Sequence, residues 1–394
     1  MKTSWQLKAL GEVCEVVNGG TPKTGVKEYW GNEHLWITPA EMGKRLSPYA
    51  DDTARKITSQ GLRDSSARLL PLNSVILSSR APIGHLVINT KPMATNQGCK
   101  GLVPSESLAY KYLFYFLQAN VDFLNDLGSG ATFKELSGGK LKEVKIPLAP
   151  LTEQQRTVAI LDQAFEGIAK ARANAEQNLQ NARALFESHL QSVFTQHGEG
   201  WVEKSLKEIT TMLGDGLHGT PKYKDDGEYH FINGNNLNDG VIEFKENTKR
   251  VTVDEYNKHK KNLTNRTILV SINGTLGKVA FYNGEKIILG KSACYFNLKE
   301  DIDKNFVRHI FSSPYFLGYA HKEATGATIK NVSLKSMREF RLLVPSLAEQ
   351  TKIVLKVDSL REKTQRLEAL YQRKIALLDE LKKSLLQQAF AGEL

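Results

Sequence analysis

The sequence predicts an α+β chain made by internal duplication: two tandem mixed domains, each followed by a long helix, related by a pseudo-twofold repeat. Three observations predict it. A set of motifs recurs in order at about half the chain length. Short β-branched and aromatic runs are broken by Gly, Pro and Asn. Two long segments free of proline carry an apolar seam. At 394 residues the chain also exceeds one ordinary core.

The repeat carries the most weight. Trp5-x4-Leu10-x-Glu12-Val13 returns as Trp201-x4-Leu206-x-Glu208-Ile209. Gly20-Thr21-Pro22-Lys23 returns as Gly219-Thr220-Pro221-Lys222, and Gly130-Ala131-Thr132-x-Lys134 as Gly326-Ala327-Thr328-x-Lys330. The strand-like run Ser74–Ser79 leads to Gly84, as Thr267–Ile272 leads to Gly277. Each copy closes with an apolar stretch, Val144–Pro147 or Phe340–Leu343. Leu151-x-Glu153-Gln154 or Leu347-x-Glu349-Gln350 then follows. The spacing, about 196 residues, is far longer than a solenoid repeat, so whole domains are duplicated. The expected division is 1–150 and 198–346 for the two mixed domains, with 151–197 and 347–394 as the helices.

Inside the mixed domains helices are few, Leu108–Leu117 among them. Thr152–Thr195 and Leu347–Phe390 instead read as continuous helices. Each opens on a capping-box pattern, Thr152-x-x-Gln155 and Ser346-x-x-Glu349, set two residues out of register between the copies. In the first helix apolar positions step by three and four through Val158, Leu161, Phe165, Ile168, Ala175, Leu179, Ala182, Phe186 and Val193. In the second they run through Ile353, Val357, Leu360, Leu367, Tyr371, Leu378, Leu381 and Leu385. This pattern predicts an antiparallel coiled coil. Arg172, His189, Thr364 and Lys374 fall on the seam, where they either fix register or snorkel from its edge. Each helix would be roughly 65 Å long at 1.5 Å per residue.

Composition sets the class. The chain is 41% hydrophobic and 24% charged, with no apolar run long enough to cross a bilayer. The start, Met1 to Gln6, lacks the apolar core of a secretory signal, and a cytoplasmic location is expected. Cys14, Cys99 and Cys294 show no CxxC spacing and read as packing residues. A net charge of +10 favours a polyanionic partner, although the excess is spread along the chain.

Catalytic patterns are missing. Gly128-Ser129-Gly130-Ala131-Thr132-Phe133 lacks the third glycine of a dinucleotide fingerprint, and Gly290-Lys291-Ser292 lacks the phosphate-loop glycine, which would fall at Glu285. HExxH, GxSxG and the Asn/Asp-Pro-Pro-aromatic motif of adenine methyltransferases are absent, and the nine histidines are scattered. The sequence therefore points away from a catalytic site and implies no metal and no cofactor.

In order, Gly19-Gly20-Thr21-Pro22-Lys23, Glu28-Tyr29-Trp30-Gly31, Leu35-Trp36-Ile37-Thr38-Pro39 and Ser79-Arg80-Ala81-Pro82-Ile83-Gly84 appear first. Asn96-Gln97-Gly98, Ile146-Pro147-Leu148-x-Pro150-Leu151-x-Glu153-Gln154 and the tail Ala389-Phe390-Ala391-Gly392-Glu393-Leu394 follow. This set resembles the specificity subunit of type I restriction-modification enzymes, and the resemblance covers essentially the whole chain. It implies two target-recognition domains, each reading one half of a bipartite site in double-stranded DNA. The helices would fix the spacer and dock two methyltransferase subunits, through which restriction subunits bind. The methyl donor, ATP and Mg²⁺ would belong to those partners. No membrane partner is implied. The second copy departs from the pattern, with Phe231-Ile232-Asn233-Gly234 in place of Trp36-Ile37-Thr38-Pro39 and Leu289-Gly290-Lys291-Ser292 in place of Thr95-Asn96-Gln97-Gly98.

DNA contact needs cations and amides on polar loops. The candidates are Lys23, Arg80, Asn96, Gln97 and Lys134 in the first copy. In the second they are Lys222, Asn233, Asn235, Asn236, Lys278, Lys291 and Lys330. Loop asparagines also serve as turn formers, and Thr132 and Thr328 are expected to support turns. Two other readings fit: the specificity subunit of a related bifunctional restriction-methylation enzyme, and a coiled-coil adaptor that binds no DNA.

Overall fold

A computed structural model describes residues 5–80, 82–130, 134–196, 198–326 and 328–394. Thr132, with its neighbours Ala131 and Phe133, lies outside them, as does Ala327 of the equivalent turn. The chain forms two compact units. One holds residues up to Ala175 together with Arg373–Leu394, and the other holds Glu176–Gln372. Each long helix therefore contributes one part to each unit.

In the first unit a five-stranded sheet runs in the order Cys14–Asn18, Cys99–Pro104, Val75–Ser79, Ile83–Asn89, Tyr49–Ala50. Every residue of Val75–Ser79 is buried, as a strand covered on both faces requires. Alternation sends Val75 and Leu77 into a core with Tyr112, Leu113 and Leu117 of the helix Tyr110–Ala119. Ile76 points to the opposite face, with Ile37, Val87 and Met93. A three-stranded sheet, Arg55–Ile57, Trp30–Ile37, Met93–Thr95, supplies that second layer. Gln6–Ala9 pairs antiparallel with Lys145–Leu148, closing the domain just before the helix.

The second unit repeats the plan with four strands: Thr210–Asp215, Ala293–Leu298, Thr267–Ser271, Val279–Phe281. Ile268 and Val270 face one core and Leu269 the other. Arg250–Val251, Tyr229–Ile232 and Ile287–Leu289 form the second layer, and Val202–Ser205 pairs with Arg341–Val344.

The long helices are Leu151–Thr195 and Leu347–Ala391. They run antiparallel within each unit. In the first, the Lys382 ammonium lies 5.0 Å from the Phe165 ring centroid and Arg172 pairs with Asp379. In the second, Arg183 pairs with Glu368 at 2.9 Å, while Leu190 and Phe194 share a core with Ile353 and Val357. Two sequence expectations are corrected. The amides of Glu153 and Gln154 donate to Pro150 O, so Pro150 takes the cap and Thr152 lies inside the first turn, whereas Ser346 caps as expected, accepting from the Glu349 amide. The two starts are thus in register. On the second helix Leu367 (40% exposed), Leu381 (46%) and Lys374 lie off the seam, which passes Glu368, Ile375, Leu378 and Leu386. The positions seven apart, Val357, Thr364, Tyr371, Leu378 and Leu385, stay buried or half-buried along the whole helix; at the alternate positions the residue one place later, Glu368, Ile375 or Lys382, is half-buried while Leu367, Lys374 and Leu381 are exposed.

Each domain grips its helix through an equivalent aspartate. Asp162 accepts from Lys111 Nζ at 2.7 Å and from Tyr115 Oη at 2.5 Å. Asp358 instead receives Arg308 Nη2 at 3.0 Å and His309 Nε2 at 2.9 Å. Burial, reinforced by the adjacent Arg308 charge and opposed by Asp358, lowers the His309 pKa to about 4. Unfolded, the same imidazole titrates near 6.5, so between these values the unfolded chain binds more protons. The second unit should therefore lose stability as pH falls from about 6.5 toward 4. Tyr115 confers no such dependence on the first unit in this window. Unit-resolved hydrogen exchange across this range checks the asymmetry, and His309→Gln should flatten it.

Candidate nucleic-acid interface

In the first unit the candidate loops meet at one end of the five-stranded sheet. The Gly19 amide donates to Cys99 O (3.1 Å), Gly20 to Thr95 O (2.9 Å), Ser79 to Gly98 O (2.7 Å) and Leu136 to Ser79 O (3.0 Å). This draws together the segments after Asn18 and Ser79, the turn before Cys99, and the segment around Glu135. Only glycine permits the approach at position 19, where a Cβ would lie 2.0 Å from Asn96 O. Buried Trp36 anchors the same loop by donating from Nε1 to Gly20 O at 2.9 Å.

On that framework Asn96 is a turn former. Its Oδ1 accepts from the Gly98 amide at 2.8 Å and its Nδ2 donates to Thr21 Oγ1 at 2.9 Å. The Thr21 hydroxyl in turn donates to Gln97 Oε1, and Gln97 is exposed. Lys23 and Lys134 are also exposed, while the Lys23 carbonyl accepts from Trp30 Nε1 at 3.3 Å. Arg80 is half-buried and pairs with Glu135 at 3.0 Å.

The second unit gathers equivalent loops at its own sheet end. Leu217 N donates to Leu289 O (2.6 Å), Lys291 N to Leu217 O (2.9 Å), Ile272 N to Ser292 O (3.0 Å) and Val332 N to Ile272 O (2.8 Å). A cleft of about 540 Å³ opens there, lined by Asp215, His218, Asn273, Lys291, Asn331 and Ser333. Lys291 and Lys330 are exposed, and the Lys330 carbonyl accepts from Gly274 N. Lys278 is half-buried, its amide donating to Ser271 Oγ. Asn233 accepts from Ser292 Oγ at 2.9 Å. Its neighbours diverge: Asn235 is exposed, but Asn236 is 5% exposed and spends its amide on Glu243 O and Thr248 Oγ1, which makes it a framework residue. Lys222 is exposed farther along its loop, where its backbone amide donates to Glu255 at 3.1 Å.

Three groupings escaped the sequence reading. Glu135 faces Lys100 (3.7 Å) as well as Arg80, and burial pulls the Lys100 pKa down against the pull of Glu135. Asp215 holds His218 at 2.6 Å. Lys258, His259, Lys260 and Lys261 surround a small pocket beside Leu217, with the Glu255 carboxyl held below its usual range by the Lys222 amide and Lys258. Only the last carries a local sequence signal that could have revealed it, the basic run Lys258-His259-Lys260-Lys261. Among the described residues no group of three or more His, Cys, Asp or Glu side chains could hold a metal ion, and no helix is long and apolar enough to cross a membrane.

The comparisons agree with this duplicated arrangement. A family model for the type I restriction modification DNA specificity domain matches residues 2–177 and 198–377. The type I restriction enzyme MjaIX specificity subunit of Methanocaldococcus jannaschii is 37% identical over 159 residues, covering 40% of this chain and 37% of that protein. The EcoR124I/EcoR124II specificity subunit of Escherichia coli is 33% identical over 162 residues, covering 39% of each. These alignments thus span about two fifths of either relative. A solved structure described as the basis of complex assembly and conformational transition of the type I R-M system superposes with a TM-score of 0.81 at 17% identity. It covers 100% of this chain and 99% of that one, a likeness of fold. With both copies matched, the chain belongs to the type I restriction modification DNA specificity domain family.

Proposed function

We propose that this chain is the sequence-specific DNA-binding subunit of a type I restriction-modification complex, each unit reading one half of a bipartite duplex site. The observation that carries the reading is one scaffold presented twice, with a different polar set at the same sheet end. In the first unit the set is Arg80, Gln97 and Lys134. In the second it is His218, Asn273, Lys291 and Lys330. Duplication preserves the framework while the reading groups diverge, as two different half-sites require.

In this reading the chain itself transfers no methyl group and cuts no DNA, and it works in the cytoplasm. Two methyltransferase subunits dock on the long helices and restriction subunits join through them, supplying the methyl donor, ATP and Mg²⁺ chemistry. Leu377 (51% exposed) and Leu381 in the first unit, and Leu355 (67%) and Leu370 (56%) in the second, are apolar side chains left outside the helix seam, in keeping with a docking role.

The test is duplex binding across a salt series. A reader that neutralises 6–10 phosphates loses roughly 10³–10⁵ in affinity between 50 and 200 mM salt. It should also enrich one bipartite sequence from a random pool. Binding that ignores salt and sequence would support the adaptor reading instead. The helices as spacer have their own check. Four residues inserted near Ala175 lengthen the helix by roughly 6 Å, so the non-specific spacer should change by one or two base pairs with both half-sites retained. Active insertion variants that keep the parental spacer would overturn that part.

A further inference from the structure

The two units place different chemistry on one topological position. Arg80 and Glu135 form an isolated antiparallel bridge, and Glu135 forms a second one with Ser129. In the other unit Asn273 and Asn331 form the same bridge, and Asn331 a second one with Thr325. The equivalence is fixed independently by two buried serines. Ser78 Oγ accepts from the His85 amide and donates to Pro82 O; Ser271 Oγ accepts from the Lys278 amide and donates to Thr275 O. Two residues beyond these serines lie Arg80 and Asn273. Beneath the bridge the correspondence continues, since Lys100 pairs across the sheet with Leu77 and Cys294 with Val270.

The three positions change character together. In the first unit they are charged: Arg80 Nη2 lies 3.0 Å and Lys100 Nζ 3.7 Å from Glu135, with Lys100 buried and the Arg80 side chain 43% exposed. One carboxylate faces two cations, so positive charge is left over at the exposed guanidinium. In the second unit they are neutral: Asn273 Nδ2 donates to Asn331 Oδ1 at 3.1 Å, and the fully buried Cys294 stands at the register position that Lys100 holds in the first. Here an amide oxygen and amide hydrogens are left over, on the wall of the cleft.

We infer that this bridge is a base-discriminating position: Arg80, oriented by Glu135, reads guanine in one half-site, and the Asn273–Asn331 pair reads adenine in the other. In the major groove guanine offers two acceptors, N7 and O6, which suit a cationic fork, while adenine offers an acceptor and a donor, which suit an amide. Glu135 acts through Arg80 and is a positioning residue. The inference rests on the DNA-reading function proposed above.

The experiment incubates the full chain with a duplex pool randomised in both halves and sequences the bound fraction. The wild type is expected to enrich a bipartite motif with guanine in one half and adenine in the other. Arg80→Asn with Glu135→Asn and Lys100→Cys gives the first unit the neutral set. Guanine preference at one position should fall roughly ten- to hundredfold in favour of adenine, with the other half-site unchanged. Glu135→Gln, which conserves volume, should weaken discrimination at that same position alone. If the triple variant is unfolded by circular dichroism, Arg80→Asn alone is read in its place. A folded variant that keeps the parental guanine overturns the inference while leaving the bipartite reading intact. A wild type that enriches no bipartite motif overturns the DNA-reading function itself.

Discussion

Replacing Gln154 or Gln350 with leucine is expected to cost its unit about 3 kcal/mol or more, because each glutamine satisfies three backbone groups from inside the core. Gln154 is fully buried. Its Oε1 accepts from Ala109 N (2.9 Å) and its Nε2 donates to Ser107 O (2.9 Å) and Ala149 O (2.8 Å). Gln350 repeats the clasp with Asp303 N (2.8 Å), Asp301 O (3.1 Å) and Pro345 O (3.0 Å). Each joins three segments: the turn entering a domain helix, the end of the closing strand, and the first turn of a long helix. Leucine fills the volume but leaves an amide and two carbonyls without partners, each costing roughly 1–3 kcal/mol. Hydrogen exchange resolved by unit should show loss of protection confined to the unit that carries the change. A loss under 1 kcal/mol, or one shared equally by both units, would refute the clasp.

A glutamate in the same place separates shape from hydrogen bonding. Gln154→Glu keeps the acceptor for Ala109 N but turns a carboxylate toward two carbonyl oxygens, which raises its folded pKa above the unfolded value of about 4.3. The folded variant then binds more protons than the unfolded chain. Its deficit should be largest at neutral pH and shrink as pH falls toward the unfolded value.

The Glu-Gln motif illustrates what the sequence made legible. Read as a boundary marker it located both helices, because the duplication supplied a second copy and the missing proline supplied the length. The function of its glutamine stayed hidden, since two of its three partners lie about 45 residues upstream and nothing local announces them. The same holds for Arg80: the residue stood out, but Glu135 and Lys100 reach it only through strand pairing. Asn235 and Asn236 are indistinguishable as neighbours in a turn, yet a single 3₁₀ turn exposes one and buries the other. Periodicity gave the seam along the whole first helix, and on the second it placed every other position correctly, missing by one residue at Leu367, Lys374 and Leu381, where Glu368, Ile375 and Lys382 are the less exposed neighbours.

Exchanging the second recognition segment for that of another family member is expected to change one half-site completely and leave the other untouched, but only if the junctions respect the core. Junctions at Gly200 and Leu347 look natural from the sequence, because they fall between mixed domain and helix. They would cut through a packed interior. Leu190 and Phe194 of the first helix and Ile353, Val354 and Val357 of the second belong to the same core cluster as Phe306, Ile310 and Phe340. The Phe194 and Phe306 rings meet at 5.6 Å. A donor domain that does not complement Phe194 leaves a cavity or a clash, and losing the packing of one such ring costs about 3–5 kcal/mol. Junctions at Glu176 and Gln372, the limits of the compact unit, carry the helix residues along with the domain they serve. Chimeras of both kinds should therefore be compared for folding and for the sequences they bind. The wider exchange should fold as well as the parent and replace one half-site. The narrower one should lose stability in proportion to the mismatch at Phe194 and Val357. If a stable wider chimera alters both halves, the two units do not read independently; if both chimeras are equally stable with an unmatched donor, those helix residues are not part of the domain's core.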